Sequence, residues 1–232
     1  VIFEKVLFQR KEDYLYFQKQ LIKNKINAFV NCWPRYTKYF QKIKKDLSNK
    51  DILKFEVSGK DWSIGSNMIH MLDYLSFLID STDLNFTDIT FTKIFTNKRT
   101  SDGVERKGFY DFIGSVTGSI GGISFSFLSL DEVDTPVKIR IKTIDRLIII
   151  NLKTKIVERI FTDIPNVTNA TQIRIPYQSE RTHKIIEDLY YNSKCDLTPY
   201  NDSKNLHLKI LESFFQTFKK TDLIYQNRCL IT

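Results

Sequence analysis

The chain has 232 residues, 42% of them hydrophobic and 27% charged, with a formal net charge of +8 at pH 7. That balance fits a folded globular protein with one substantial core, or one domain and part of another, and excludes a disordered or collagenous chain. No apolar run approaches the roughly 20 residues that span a bilayer, and the apolar start is broken at once by Glu4 and Lys5, so neither a membrane segment nor a signal peptide is expected.

In chain order, "VIFEKVLF" reads as a short buried strand. Lys11 to Lys25 reads as an amphipathic helix with Tyr14, Phe17, Leu21 and Ile22 on one face, and Ile26 to Trp33 as a second apolar strand. Strand, helix and strand with short connections form a βαβ unit, whose strands are parallel. Ligands of such units sit at the carboxyl ends of the strands, which gathers Lys5, Asn31, Arg35 and Tyr36 at one rim. A helix follows from Pro34, with Tyr39, Phe40, Ile43 and Leu47 periodic, and "DILKFEVSG" is a strand ended by Gly59.

The stretch "DWSIGSNMIHMLDYL" opens a helix spanning roughly 63–80, in which Met68, Ile69, Met71, Leu72 and Leu75 surround His70. This pattern leaves His70 with two roles, a satisfied core residue or a proton carrier facing a pocket, since histidine titrates near neutrality.

The middle third changes character. All eight glycines lie between Gly59 and Gly122. "FTDITFTKIF", "GFYDFIGSVTG", "GGISFSFLSL", "VKIRIKT", "RLIIINL" and "KIVERIF" alternate apolar and polar residues, as strands of a mostly antiparallel sheet do, and "SIGGIS" suits a hairpin turn. Helices expected at 35–47, 63–80, 179–193 (capped by Ser179) and 202–219 would cover one face of that sheet. The class is therefore α+β, a large open sheet covered on one face by helices and preceded by a partial βαβ.

No P-loop, GxGxxG, HExxH or GxSxG is present. His70, His183 and His207 share no ligand spacing with each other or with a cysteine, so no metal is expected, and His183 and His207 read as solvated helical positions. Cys32, Cys195 and Cys229 are odd in number and lack CxxC spacing, which argues for a reducing compartment, the cytoplasm. In that setting the sequons at Asn85, Asn166, Asn169 and Asn201 are chance matches in an Asn-rich chain. The positive charge suits a polyanionic partner, but the lysines are dispersed with no aromatic interleaving, which favours a small phosphorylated ligand or a merely basic surface over nucleic acid.

Several stretches together resemble the Gfo/Idh/MocA oxidoreductases, closest to members acting on sugars in surface-polysaccharide pathways. "EKV" resembles the Glu-Lys-Pro signature of that family, with "VNCWPRY" as the strand-to-helix crossing that follows it. "DWSIGSNMIHMLDYL" resembles its Gly-rich segment and His-x-x-Asp helix, "RKGFYDFIGSVTG" its first large-sheet strands, and the stretch from Gln178 through "CLIT" its C-terminal helices and tail.

The resemblance spans the chain. It implies that residues 1–33 are the end of a dinucleotide-binding Rossmann domain, 34–232 a substrate-binding and oligomerisation domain, and the chain a piece of a longer protein. It implies NAD or NADP as cofactor, Lys5 and His70 as catalytic residues, and Arg35, Tyr36, Trp62, Asn67 and Asp73 at a sugar or nucleotide-sugar site. Glu4, Lys5, Tyr177 and Gln178 would approach the cofactor. Two positions depart from the pattern. Val6 replaces the signature proline, and Ser66 stands where many members have an aspartate one turn before the histidine, a partner that would raise the imidazole pKa.

Three readings follow: an NAD(P)-dependent sugar oxidoreductase, a non-catalytic sugar-binding or oligomerisation module of the same fold, and a nucleic-acid binder. The second expects a homo-oligomer built on the open sheet face through Phe109, Phe112, Phe125 and Phe127.

Overall fold

The computed structural model describes residues 1–47, 52–96, 108–131, 134–163, 168–218, 224–225 and 228–231. The Asn166 sequon, the expected helix end at residue 219 and the final Thr232 lie outside the described residues.

Two sheets carry the architecture. In the smaller, β1 (Ile2–Phe3) runs parallel to β2 (Phe29–Val30), with α1 (Lys11–Lys23) between them. The βαβ unit is thus present, although its strands are shorter than the apolar runs that announce them. A later segment closes this sheet: β11 (Thr198–Pro199) runs antiparallel to β2, pairing Thr198 with Val30.

The larger sheet has eight strands in the order β10-β9-β8-β7-β3-β6-β5-β4. They are β3 (Ile52–Lys60), β4 (Leu84–Thr96), β5 (Tyr110–Ile120), β6 (Ile123–Leu130), β7 (Lys138–Thr143), β8 (Arg146–Asn151), β9 (Ile156–Phe161) and β10 (Thr168–Gln172). Only the β3–β6 pair is parallel. At the β5–β6 hairpin, Gly121 and Gly122 take φ of 52° and 84°, so both turn residues need the freedom that glycine has.

Helix α2 (Lys38–Asp46) and the nearly all-buried α3 (Ile64–Ile79) lie in the first half, α4 (Gln178–Asn192) and α5 (Tyr200–Phe218) in the second, before the short pair β12 (Ile224–Tyr225) and β13 (Arg228–Cys229). The core sits between the large sheet and these helices: Phe55, Val57, Phe112, Phe125, Phe127, Ile139 and Ile141 face α3 and α5 and are at most 2% exposed. Phe91 stacks on Phe218 with ring centroids 5.0 Å apart, and Phe40 meets Tyr74 edge-on at 4.8 Å.

Three expectations need correction, and one strand went unforeseen. Phe112, Phe125 and Phe127 do not face outward: register pairs Phe55 with Phe125 and Val57 with Phe127, so all lie on the helix-covered side. The open face presents Ser58, Lys138, Arg140, Ser124 and Ser126 instead, with Leu128, Leu147, Ile149 and Ile160 among them. His207 is buried, packed 5.7 Å from Tyr14 with Nδ1 2.8 Å from the Ser203 carbonyl, whereas His183 is exposed as expected. Tyr177, not Ser179, caps α4, its backbone N–H donating to Glu180 at 2.8 Å. Strand β10 has the sequence TNATQ, fully exposed and without the apolar alternation that would announce it.

Candidate active site

Four elements converge where the parallel strands end. Glu4 and Lys5 follow β1, Asn31 and Trp33 follow β2, Asn67 and His70 come from the first turns of α3, and Gln178 and Arg181 from the first turn of α4. These eight side chains line one cavity of about 310 Å³. Its position matches the rule that ligands of βαβ units sit beyond the carboxyl ends of the strands.

The geometry inside is specific. Lys5 Nζ donates to the Ser66 carbonyl, which holds the ammonium against the first turn of α3. Glu4 accepts from Asn31 Nδ2 at 2.7 Å and from Gln178 Nε2 at 2.9 Å, so one carboxylate bridges β2 and α4. His70 is 7% exposed, buried among apolar neighbours yet on the cavity wall, with Trp33 edge-on at 6.3 Å. The peptide bond between Lys5 and Val6 is cis.

The cavity adjoins two larger ones. Trp33 and Asn67 also line a cavity of about 620 Å³, with Trp62, Asp61, Lys60 and Lys153. Trp62 is anchored there by donating to the Leu128 carbonyl at 2.9 Å, and Asn67 by donating to the Trp62 carbonyl at 2.6 Å. Arg181 also lines a cavity of about 590 Å³ between α2, β10 and α4.

Seven of the residues singled out by sequence therefore share the central chamber or its wider neighbour: Glu4, Lys5, Asn31, Trp62, Asn67, His70 and Gln178. Arg35 and Asp73 lie elsewhere. Arg35 pairs with Asp73 at 3.2 Å and covers the Phe77 ring at 5.0 Å, and Thr198 donates to the same Asp73 oxygen at 2.7 Å. Asp73 is fully buried, and that burial raises its pKa despite the opposing pull of Arg35 and Thr198. The pair joins α3 to the β2–α2 connection and to β11 rather than lining a described cavity. Tyr36 donates to Asp188 at 2.7 Å and borders the third cavity; Tyr177 is 81% exposed beside the α4 start and lines no described cavity.

No protein-family model and no curated protein matches the chain. Solved structures do. UDP-N-acetylglucosamine 3-dehydrogenase GnnA from Acidithiobacillus ferrooxidans superposes with a TM-score of 0.64 at 10% identity, covering 91% of this chain and 68% of that one. The dehydrogenase MviM from Clostridium difficile gives 0.64 at 13%, covering 94% and 71%. An oxidoreductase from Agrobacterium radiobacter in complex with NAD+, L-tartaric acid and magnesium gives 0.65 at 13%, covering 94% and 70%. The protein has the fold of the Gfo/Idh/MocA-type oxidoreductases.

Within the Gfo/Idh/MocA fold, two functional-looking residues escaped the sequence reading. Arg181 enters the chamber from a stretch that reads only as a charged helix. Asp111 anchors the serine at position 66. Its carboxylate accepts from the Gly65 N–H at 2.8 Å, from Ser66 Oγ at 2.5 Å and from the Phe112 N–H at 2.9 Å. Burial raises the Asp111 pKa, while the Ser66 bond and the backbone N–H bonds oppose that shift. A carboxylate delivered by β5 thus bonds the turn at position 66, where the resemblance would place one on α3 itself. The available clue was an aspartate inside the apolar strand "GFYDFIGSV". Among the described residues no cluster of His, Cys, Asp and Glu could hold a metal, and no helix is long and apolar enough to cross a membrane.

Proposed function

We propose that the chain, its residues 1–33 the end of a dinucleotide-binding domain and 34–232 the substrate domain, carries the catalytic site of an NAD(P)-dependent oxidoreductase acting on a hydroxyl or keto carbon of a sugar or nucleotide-sugar. The observation that supports this best is the convergence of Lys5, His70 and Asn67 from two different elements on one cavity beyond a parallel βαβ. The residues present fit a nicotinamide end. The Glu4–Asn31–Gln178 network offers both donors and acceptors at the chamber rim, and its floor is cationic. NAD or NADP, when bound, supplies hydride acceptance and return.

The chain's own residues do the rest. Trp33, Trp62 and Asn67 make a wall with two flat aromatic faces and an amide, surfaces suited to a sugar ring, in a cavity wide enough for a monosaccharide. Lys5, fixed against the Ser66 carbonyl, stabilises negative charge on the reacting oxygen. His70 takes the hydroxyl proton in oxidation and returns it in reduction. Its burial against Trp33 keeps bulk water from that exchange. Asp111, through Ser66 and Gly65, fixes the helix turn to which Lys5 is bound. The three free cysteines, two of them buried, accord with a cytoplasmic setting.

The test is His70→Asn in the full-length protein, assayed with NAD and NADP against a sugar and nucleotide-sugar panel. The expected result is a fall in kcat of about a hundredfold or more, with KM little changed. Unchanged turnover in the variant, or no nicotinamide-dependent turnover in the parent, would sink the reading.

A second reading, a non-catalytic binding or self-associating module, draws on one neighbour. The super-repressor mutant of Gal80p from Saccharomyces cerevisiae superposes equally well, with a TM-score of 0.65 at 14% identity, covering 93% of this chain and 69% of that one. Under that reading the open sheet face is the self-association surface, through Leu147, Ile149 and Ile160 rather than the phenylalanines.

A further inference from the structure

Among the described residues, Arg181 is the one that lines both the central chamber and the cavity of about 590 Å³. Its Nη1 is buried and meets no hydrogen-bond acceptor, and its Nε makes only a long contact of 3.5 Å with the Tyr177 carbonyl. No carboxylate of the described residues lies within ion-pair distance of it. Glu4 is the nearest acid in the chamber, but its Oε1 is taken up by Asn31 and Gln178. Burial lowers the Arg181 pKa and the charge of Glu4 offsets that only in part, so an anionic ligand oxygen that meets Nη1 would complete the compensation.

The cavity behind Arg181 has the same bias. Its Arg174 pairs with Glu180, Lys184 with Asp188 at 3.6 Å, and Asp196 accepts from Gln41 at 2.8 Å. Lys38 and Lys42, one turn apart on the exposed side of α2, have no ion pair among the described residues. The wall therefore carries surplus positive charge on the side away from Lys5 and His70, at about 590 Å³ enough for a diphosphate. Arginine is suited to this task because its planar fork matches phosphate oxygens bidentately.

We propose that Arg181, backed by Lys38 and Lys42, binds the phosphate group of the substrate, so that the enzyme takes a phosphorylated or nucleotide-linked sugar and not a free one. This deepens the oxidoreductase reading and rests on it. The sugar carbon that reacts faces Lys5 and His70, and the phosphate lies across Arg181. The same chemistry could come from the cofactor's own phosphates, and competition separates the two sources.

The experiment titrates inorganic pyrophosphate into the full-length protein by calorimetry, with and without saturating NADH. Binding is expected in both conditions. It should weaken about tenfold to a hundredfold in Arg181→Gln, by the size of a charge-assisted hydrogen bond, and less in Lys38→Gln/Lys42→Gln, with near-ultraviolet circular dichroism unchanged. Equal binding by Arg181→Gln and wild type overturns the proposal, and so does displacement of pyrophosphate by NADH, which assigns the site to the cofactor. Hydride transfer to a sugar that persists while pyrophosphate binding ignores Arg181 leaves the oxidoreductase reading intact and removes this one. Arg181-dependent binding in a protein that transfers no hydride does the reverse.

Discussion

The two sheets divide the labour unequally. The eight-stranded sheet and α3 bury most of the large apolar side chains, and their strands run up to 13 residues. The small sheet has strands of two residues, and around it Val1, Ile2, Leu15, Tyr16 and Ile22 remain exposed. Yet the small sheet aims Glu4, Lys5, Asn31 and Trp33 at the chamber, and the large one reaches it only through α3 and Asp111. The core and the candidate site are built from different elements, joined along the start of α3. This is the arrangement expected when a rigid scaffold positions loop-borne side chains.

The comparison can be broken by mutation, and the expected effects fall in a clear order. Phe127→Ala, in the large-sheet core, should cost about 3–5 kcal/mol in urea unfolding. A loss under about 1 kcal/mol would mean the core does not bear on global stability there.

The next effect belongs to the small-sheet region. His207 has its pKa lowered to about 4, chiefly by burial, with Lys5 acting in the same direction and the Ser203 carbonyl against it. A depressed histidine contributes stability above its unfolded pKa of about 6.5 and loses it as pH falls through that value toward the folded one. About 3 kcal/mol should therefore disappear between pH 6.5 and 4, and His207→Gln should flatten that part of the curve. A parent protein whose unfolding free energy is level across that window would contradict the burial of His207.

Asp111→Ala tests the junction itself. It strands the Gly65 and Phe112 N–H groups, and the expected cost is about 1.5–3 kcal/mol, with a drop in kcat because the turn holding Lys5 is released. Loss of stability with full turnover would show that the two regions are not coupled through this residue. The smallest effect is expected from Tyr200→Phe, which removes a 2.9 Å hydrogen bond to the Tyr14 carbonyl, about 1 kcal/mol. Chemical denaturation resolves it only against a matched control.

Much of the large-sheet region was legible in the sequence. Period-two alternation announces β4 to β9, the paired glycines announce the β5–β6 hairpin, and the apolar spacing around His70 announces α3. Alternation does not say which face the helices cover, so the expectation put Phe112, Phe125 and Phe127 on the open face, and only the register shows them on the covered one. Strand β10 carries no alternation because neither of its faces is buried. The site was half legible. Lys5 and His70 stand in recognisable local contexts, whereas Arg181 and Asp111 matter only through distant partners. Arg35 and Asp73 sit near the right strands in sequence, but they neutralise each other inside the fold instead of meeting solvent.

Strand β11 has a consequence for biosynthesis. It pairs Thr198 with Val30, and the residues just before it supply Gln178 and Arg181, the second wall of the chamber. A chain emerging from the ribosome exposes Lys5 and His70 long before that wall exists. The pocket is finished only when the return segment has been made and has found β2 across a long loop, one of the slower kinds of contact to form. Chains that stop before β11 thus hold Lys5 and His70 beside an unwalled chamber, and the pocket is complete only once that later segment has docked.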